Sequence, residues 1–149
     1  MTQNRQAYWS IIFLIVPQLF LKYGLPFCDV NLCYNGKFIS IKNVLLDTGS
    51  GGSVFKMDVV EDIGITIEDD DVIESISGVG GTEFVYKKDI DSIALGMLRL
   101  DNFKIEVGVM DYGFEINGIL GMDFMKSVGA VINLDKMEVA NGNSYSDKS

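Results

Sequence analysis

Hydrophobic and polar positions divide the chain into a leading apolar block, a long series of short strand-like runs, and a polar end. Tyr8 to Leu21 read YWSIIFLIVPQLFL, unbroken from Ile11 to Val16 and interrupted by Pro17 and Gln18. A helix that spans a bilayer needs about 20 apolar residues, and this run falls short. It has the length of a signal-peptide core, yet no small-x-small cleavage site precedes Lys22. Residues 1–21 are therefore set apart as an apolar N-terminal extension with three readings. It packs on the body or on a partner subunit, it is a membrane-associating or exported leader, or it is an upstream extension with no role in the fold.

From Leu25 the pattern is that of an all-β protein. Phe27 to Tyr34 and Lys37 to Leu46 are β-branched and aromatic runs separated by Asn35-Gly36, a dipeptide suited to the positive φ values of a tight hairpin turn. Ile39 and Ile41 alternate with Ser40 and Lys42, which predicts one wet face. The alternation is lost at Val44-Leu45-Leu46, which predicts a strand entering the core. Two more hairpins are expected. Val72 to Ser77 and Glu83 to Tyr86 flank Gly78-Val79-Gly80-Gly81, and Ile93 to Leu95 and Phe103 to Val109 flank a turn around Gly96 to Asn102. Short helices are expected near Lys56 to Ile63, with Asp58 or a neighbour as cap, and near Met122 to Ser127. Residues 22–139 form one domain, and 140–149 read as a polar, frayed tail.

Composition narrows the function. The 149 residues suffice for one domain with a buried core, since 48% are apolar and 11% aromatic. A net charge of -9 is the wrong sign for a nucleic-acid binder or for adhesion to anionic lipid. Histidine is absent, which removes Ser-His-Asp and Cys-His nucleophile systems, His-ligated zinc hydrolases and histidine-held haem. Hydrolytic chemistry in this chain must run on carboxylates, lysine or a hydroxyl. Cys28 and Cys33 sit at an odd offset, on opposite faces of a strand, and read as reduced packing thiols in a cytoplasmic protein, with membrane association through residues 1–21 as the alternative.

The chemistry centres on Val44-Leu45-Leu46-Asp47-Thr48-Gly49-Ser50. An apolar strand delivers a carboxylate into a turn whose hydroxyls and N–H groups can surround it and hold its charged form. A second segment, Ile116-Asn117-Gly118-Ile119-Leu120-Gly121-Met122-Asp123-Phe124, repeats the order of apolar strand, glycine and short helix, as though the chain held two similar halves. Alone, Asp47 reads either as catalytic or as a structural turn residue. The Gly78 to Gly81 tip lacks the helix and the Lys-Ser/Thr of a phosphate loop. Glu68-Asp69-Asp70-Asp71 does not fit an alternating calcium loop and reads as a solvated acidic turn. Asp123 can accept N–H groups at a helix start, a supporting role, and Met110, Met122, Met125 and Met137 read as core filler.

Taken in order, Leu46-Asp47-Thr48-Gly49-Ser50, the glycine-tipped hairpin, Gly118 to Phe124 and Gly129-Ala130-Val131-Ile132-Asn133-Leu134 resemble the retropepsin-like aspartic proteases, most closely the single-domain cellular and bacterial members. The likeness covers residues 25 to 139. It implies a closed, mostly antiparallel β-barrel that works as a homodimer on peptide or protein substrates, with no metal or cofactor. Asp47 would be the catalytic aspartate, Thr48 would reach across to the partner's loop, Gly49 would permit close approach, and Ser50 would hydrogen-bond the outer carboxylate oxygen. Gly78, Val79, Gly80 and Gly81 would form the flap tip. Ile119, Leu120 and Gly121 would pack beneath the active-site loops, with Asp123 in support. The N-terminal run and Val131 to Val139 would contribute the dimer sheet. Two carboxylates within about 3 Å cannot both ionise, so one activates water while the other polarises the scissile carbonyl, and no imidazole is needed. The alternative is a peptide-binding or dimerisation module of the same fold without activity.

Overall fold

The computed structural model describes residues 16–78 and 81–142. The apolar run of the N-terminal extension therefore lies outside the described residues except for its end, as do Val79, Gly80 and most of the polar tail. Ten strands and two short helices follow in order: β1 (Phe20–Lys22), β2 (Leu25–Tyr34), β3 (Lys37–Leu46), β4 (Val54–Lys56), α1 (Met57–Val60), β5 (Ile73–Gly78), β6 (Gly81–Leu95), β7 (Leu98–Gly108), β8 (Gly118–Leu120), α2 (Met122–Val128), β9 (Ala130–Asn133) and β10 (Glu138–Asn141). A 3-10 turn, Glu61–Ile63, extends α1 and closes on Gly64 at φ 85°. Lys56 stands at the N-cap of α1 without a side-chain bond, and Asp58 lies inside the first turn rather than capping it. β10 continues through Asn141, into the stretch expected to be tail, because Ala140 and Asn141 pair with Val131 and Ala130.

The Asn35-Gly36 turn forms where the sequence predicts it. Asn35 and Gly36 adopt φ 49° and 78° between β2 and β3, and the left-handed Tyr23-Gly24 pair joins β1 to β2. The third hairpin is tighter than expected. β6 and β7 turn at Gly96-Met97 alone, and Leu98 to Asp101 pair with Leu95 to Ser92. Arg99, Asp101 and Asn102, within the expected turn, are exposed positions of a strand that turns Leu98 inward.

Eight strands form one sheet in the order β1-β2-β3-β8-β4-β7-β6-β5, and β2 pairs with β6 as well as with β3. Pairings thus run from β2 through β3, β8, β4, β7 and β6 back to β2. The sheet is mixed, not antiparallel throughout. β8 enters between β3 and β4, parallel to β3 and antiparallel to β4, while β4 lies parallel to β7. Turn signals report only sequential hairpins, which are antiparallel by construction, so these crossovers leave no local mark. β9 and β10 form a separate hairpin. Residues from the end of the extension dock on it, with Gln18 bridged to Glu138 and the Leu19 N–H donating to the Met137 carbonyl at 2.7 Å.

A bulge sets the phase of β3. The register shifts between Cys28 and Val30, and Asn43, at φ 59°, is the extra residue opposite the shift. Beyond it Val44 and Leu46 turn into the larger apolar cluster with Ile41, Phe55, Leu120 and Phe124. Leu45 packs instead on a smaller cluster of Phe27, Val54, Val85, Met110 and Ile116. This is why the alternation fades before Asp47: apolar cover lies on both faces. Cys28 and Cys33 are buried and free, and burial pushes the Cys28 thiol up to about 12. Of the four methionines expected in the core, Met110 and Met125 are buried and Met137 packs at its edge, but Met122 is exposed. Among the described residues no helix is long and apolar enough to cross a membrane.

Candidate active site

The Asp47 turn is built from two segments far apart in sequence. The Asp47 N–H, at the end of β3, donates to the Leu120 carbonyl of β8 at 3.0 Å, extending the parallel pairing by one rung. The Ser50 N–H closes the turn on the Asp47 carbonyl at 3.2 Å, and the Gly49 N–H donates to Asp47 Oδ1 at 2.8 Å. A Cβ at Gly49 would lie 3.1 Å from that oxygen, so a side chain there would crowd the carboxylate. Thr48 and Gly49 are exposed at the crest, and Asp47 is half-buried. The Ser50 hydroxyl does not reach the carboxylate. It donates to the Gly52 carbonyl at 2.7 Å and stiffens the loop that follows.

Gly121 holds the second segment against this loop. A Cβ there would press into the Gly52 carbonyl and lie 2.8 Å from the Ser50 carbonyl. The close approach lets the N–H groups of Met122 and Asp123 donate to the carbonyls of Ser50 and Gly51. Ser53 completes the joint. Its hydroxyl donates to Asp123 Oδ1 at 2.7 Å and accepts the buried Gly121 N–H at 3.0 Å, while its own N–H donates to Asp123 Oδ2 at 3.2 Å. Asp123 Oδ1 also accepts the Phe124 N–H at 2.8 Å. Leu120 is fully buried beneath the turn, and Ile119, half-buried, packs on the smaller cluster.

Several contributing residues were not singled out in the sequence. Ser53 has the pattern of any loop serine, and its nearness to the Asp-Thr-Gly-Ser run is the one sequence signal that marks it as a partner for Asp123. Glu106 of β7 sets its carboxylate 3.0 Å from where a Gly52 Cβ would stand. Burial raises its pKa, nearby Lys87 opposes that, and Asp123 and Glu74 add to it. Glu83 of β6 binds the Met110 N–H at 2.6 Å and the Tyr112 hydroxyl. The acidic run is not simply solvated. Asp71 and Glu68 clamp the Lys88 ammonium at 2.7 and 3.0 Å, with the Lys88 side chain 9% exposed.

The β5–β6 hairpin narrows to the pair Gly78 and Gly81, the latter at φ 121°. Cavities of about 510 and 600 Å3 lie along the β6–β7 turn, one beside the end of α2 and one across β2 and β3, and neither includes Asp47. Among the described residues no three His, Cys, Asp or Glu side chains converge as a metal site.

A mixed β-sheet that presents an aspartate in an Asp-Thr-Gly-Ser turn, backed by a parallel strand ending in Ile-Leu and followed by a glycine, is the framework of an aspartic peptidase. The family model for aspartyl protease matches residues 30–124, and the chain belongs to that family. No curated protein matches it.

Proposed function

We propose that the chain is an aspartic endopeptidase that works as a homodimer, with the Asp47 carboxylates of two chains forming the dyad. The observation that carries this reading is the Asp47 turn: its carboxylate is held by the Gly49 N–H, its backbone is tied to Leu120, and it stands at an exposed crest. One chain supplies one such carboxylate, which is half of a mechanism that needs two. With the pair sharing a proton, the ionised member takes a proton from water as it attacks the scissile carbonyl. The protonated member donates to the carbonyl oxygen; the proton taken from water then passes to the leaving nitrogen, and collapse of the tetrahedral intermediate breaks the C–N bond, releases the amine and returns the hydroxyl proton to the dyad. The substrate is an extended peptide lying between the paired turns and the β5–β6 hairpins, where strand-like hydrogen bonds hold it. The return of pairings from β6 to β2 supports the closed barrel of that family. The buried, free thiols Cys28 and Cys33 support work in a reducing compartment.

Asp47→Asn keeps the shape of the turn and removes the base. Loss of peptide cleavage with the dimer intact is expected, and unchanged cleavage overturns the assignment of Asp47 as the catalytic base; a wild-type dimer that binds peptide without cleaving it favours the binding module instead. Specific activity should also fall on dilution as the dimer dissociates. Constant activity in a demonstrably monomeric sample contradicts the shared dyad.

A further inference from the structure

The β5–β6 hairpin and the segment leading into β8 are joined by a contact that the Asp47 turn does not require. Glu83 lies on β6 close to the hairpin tip, opposite Ile76. One carboxylate oxygen accepts the Met110 N–H at 2.6 Å and the other accepts the Tyr112 hydroxyl. Gly108 makes room for it, since a Cβ there would lie 2.7 Å from Glu83 Oε1. Met110 adopts φ 56°, a left-handed conformation unusual for a side chain of its kind, and its side chain is buried in the smaller apolar cluster. Backbone held in such a conformation needs fixing from more than one side, and here the buried side chain and the Glu83 carboxylate both act. The far end of the segment is anchored as well, by Lys22 to Glu115 at 3.1 Å and by the Tyr23 ring against Phe114.

We propose that Glu83 is a positioning residue whose carboxylate latches the arm of the β5–β6 hairpin to the 110–112 segment, through the Met110 N–H and the Tyr112 hydroxyl, and thereby sets the width of the peptide channel. This rests on the proteolytic reading above. A carboxylate suits the task because it only accepts, so a backbone N–H and a phenol can both donate to it, and bonds to a charged acceptor are the stronger ones. With the latch broken, the arm and the segment part and peptide binding weakens. The Asp47 turn, held through Leu120 and Gly121, keeps its geometry. The consequence is a change in KM with kcat retained. A residue that serves folding alone would instead lower the active fraction, and so kcat, at constant KM.

The test uses the full chain, fluorescein-labelled casein as probe substrate, and hydrogen exchange at the Met110 amide. Glu83→Leu is expected to raise KM on the order of tenfold with kcat within about twofold of wild type, and Tyr112→Phe to raise it less. Glu83→Gln should restore most of the wild-type KM, because its amide keeps the shape, accepts from Met110 and donates to the Tyr112 oxygen. Exchange at Met110 should be faster in Glu83→Leu than in wild type and near normal in Glu83→Gln. An unchanged KM in Glu83→Leu, a fall in kcat alone, or unaltered Met110 exchange overturns the latch. If wild type cleaves casein no better than Asp47→Asn does, the proteolytic reading fails and the channel role of Glu83 falls with it. Cleavage that depends on Asp47 but not on Glu83 overturns the latch alone.

Discussion

Ser53→Ala removes one oxygen from the joint beneath the Asp47 turn, and the structure fixes what is lost. Ser53 is 1% exposed, and its hydroxyl serves as donor to Asp123 and as acceptor for Gly121. Loss of the bond to the carboxylate costs about 1.5–3 kcal/mol, and a stranded buried N–H costs about 1–3 kcal/mol. Both effects pass through one atom and do not add fully, and Asp123 keeps some contact with solvent, so the expected loss is about 2–4 kcal/mol. At about 2–4 °C per kcal/mol for a domain of this size, the Tm falls by about 5–15 °C. Urea unfolding followed by circular dichroism, with calorimetry alongside, measures both quantities. Asp123→Asn keeps an oxygen to accept from Ser53 and Phe124 and gives up only the longer bond from the Ser53 N–H, so its loss should be nearer about 1 kcal/mol. A Ser53→Ala loss below about 0.5 kcal/mol, the range of an ordinary surface change, would refute the joint.

Gly121→Ala tests close approach alone, since the backbone of Gly121, at φ -104° and ψ -170°, is open to any residue. Its methyl group meets the Ser50 and Gly52 carbonyls, and a loss of at least about 1–3 kcal/mol is expected, against less than about 0.5 kcal/mol for Gly51→Ala, where a Cβ meets open space. Equal losses in urea unfolding would show that the contact does not matter. Stability should also fall with acid through Asp71. The hydrogen bond from Lys88 holds its carboxyl below the ordinary aspartate range, so its contribution is complete above the unfolded pKa and is lost as pH falls through the folded one. Lys88→Met should flatten the fall of the urea midpoint across that acid range, and an unaltered slope would exclude the pair as its source.

The Glu106 carboxylate against Gly52 gives the two chemical layers of the site a common border. The Asp47 carboxylate is held by the Gly49 N–H on one side of the loop, while five residues on, the same loop faces a half-buried carboxylate from β7. That arrangement depends on β4 lying parallel to β7, with Val54 opposite Glu106, and the Glu106 N–H donates to the Ser53 carbonyl at 2.9 Å. One strand pairing thus positions both the loop behind Asp47 and the charge beside it.

What the sequence determined by itself is local. Asn35-Gly36 marks a turn because few residues accept its φ values, and Val44 to Ser50 marks an aspartate at the end of a buried strand because apolar residues and small hydroxyl residues seek different surroundings. The missing histidines confined hydrolytic chemistry to carboxylates, lysine or a hydroxyl. Only the tertiary structure decided which distant residues complete the site. Ser53 and Asp123 are separated by 70 residues, Asn117 and the Lys42 carbonyl by 75, and Glu83 and Tyr112 by 29. Their pairing follows from the insertion of β8 between β3 and β4 and from the bulge at Asn43, whose carbonyl accepts the Asn117 N–H at 3.0 Å. Periodicity and turn chemistry act over a few residues, whereas a strand crossover is chosen by the burial of the whole sheet. A serine that looks like any loop residue, and a glutamate that looks like any surface charge, acquire their roles only there.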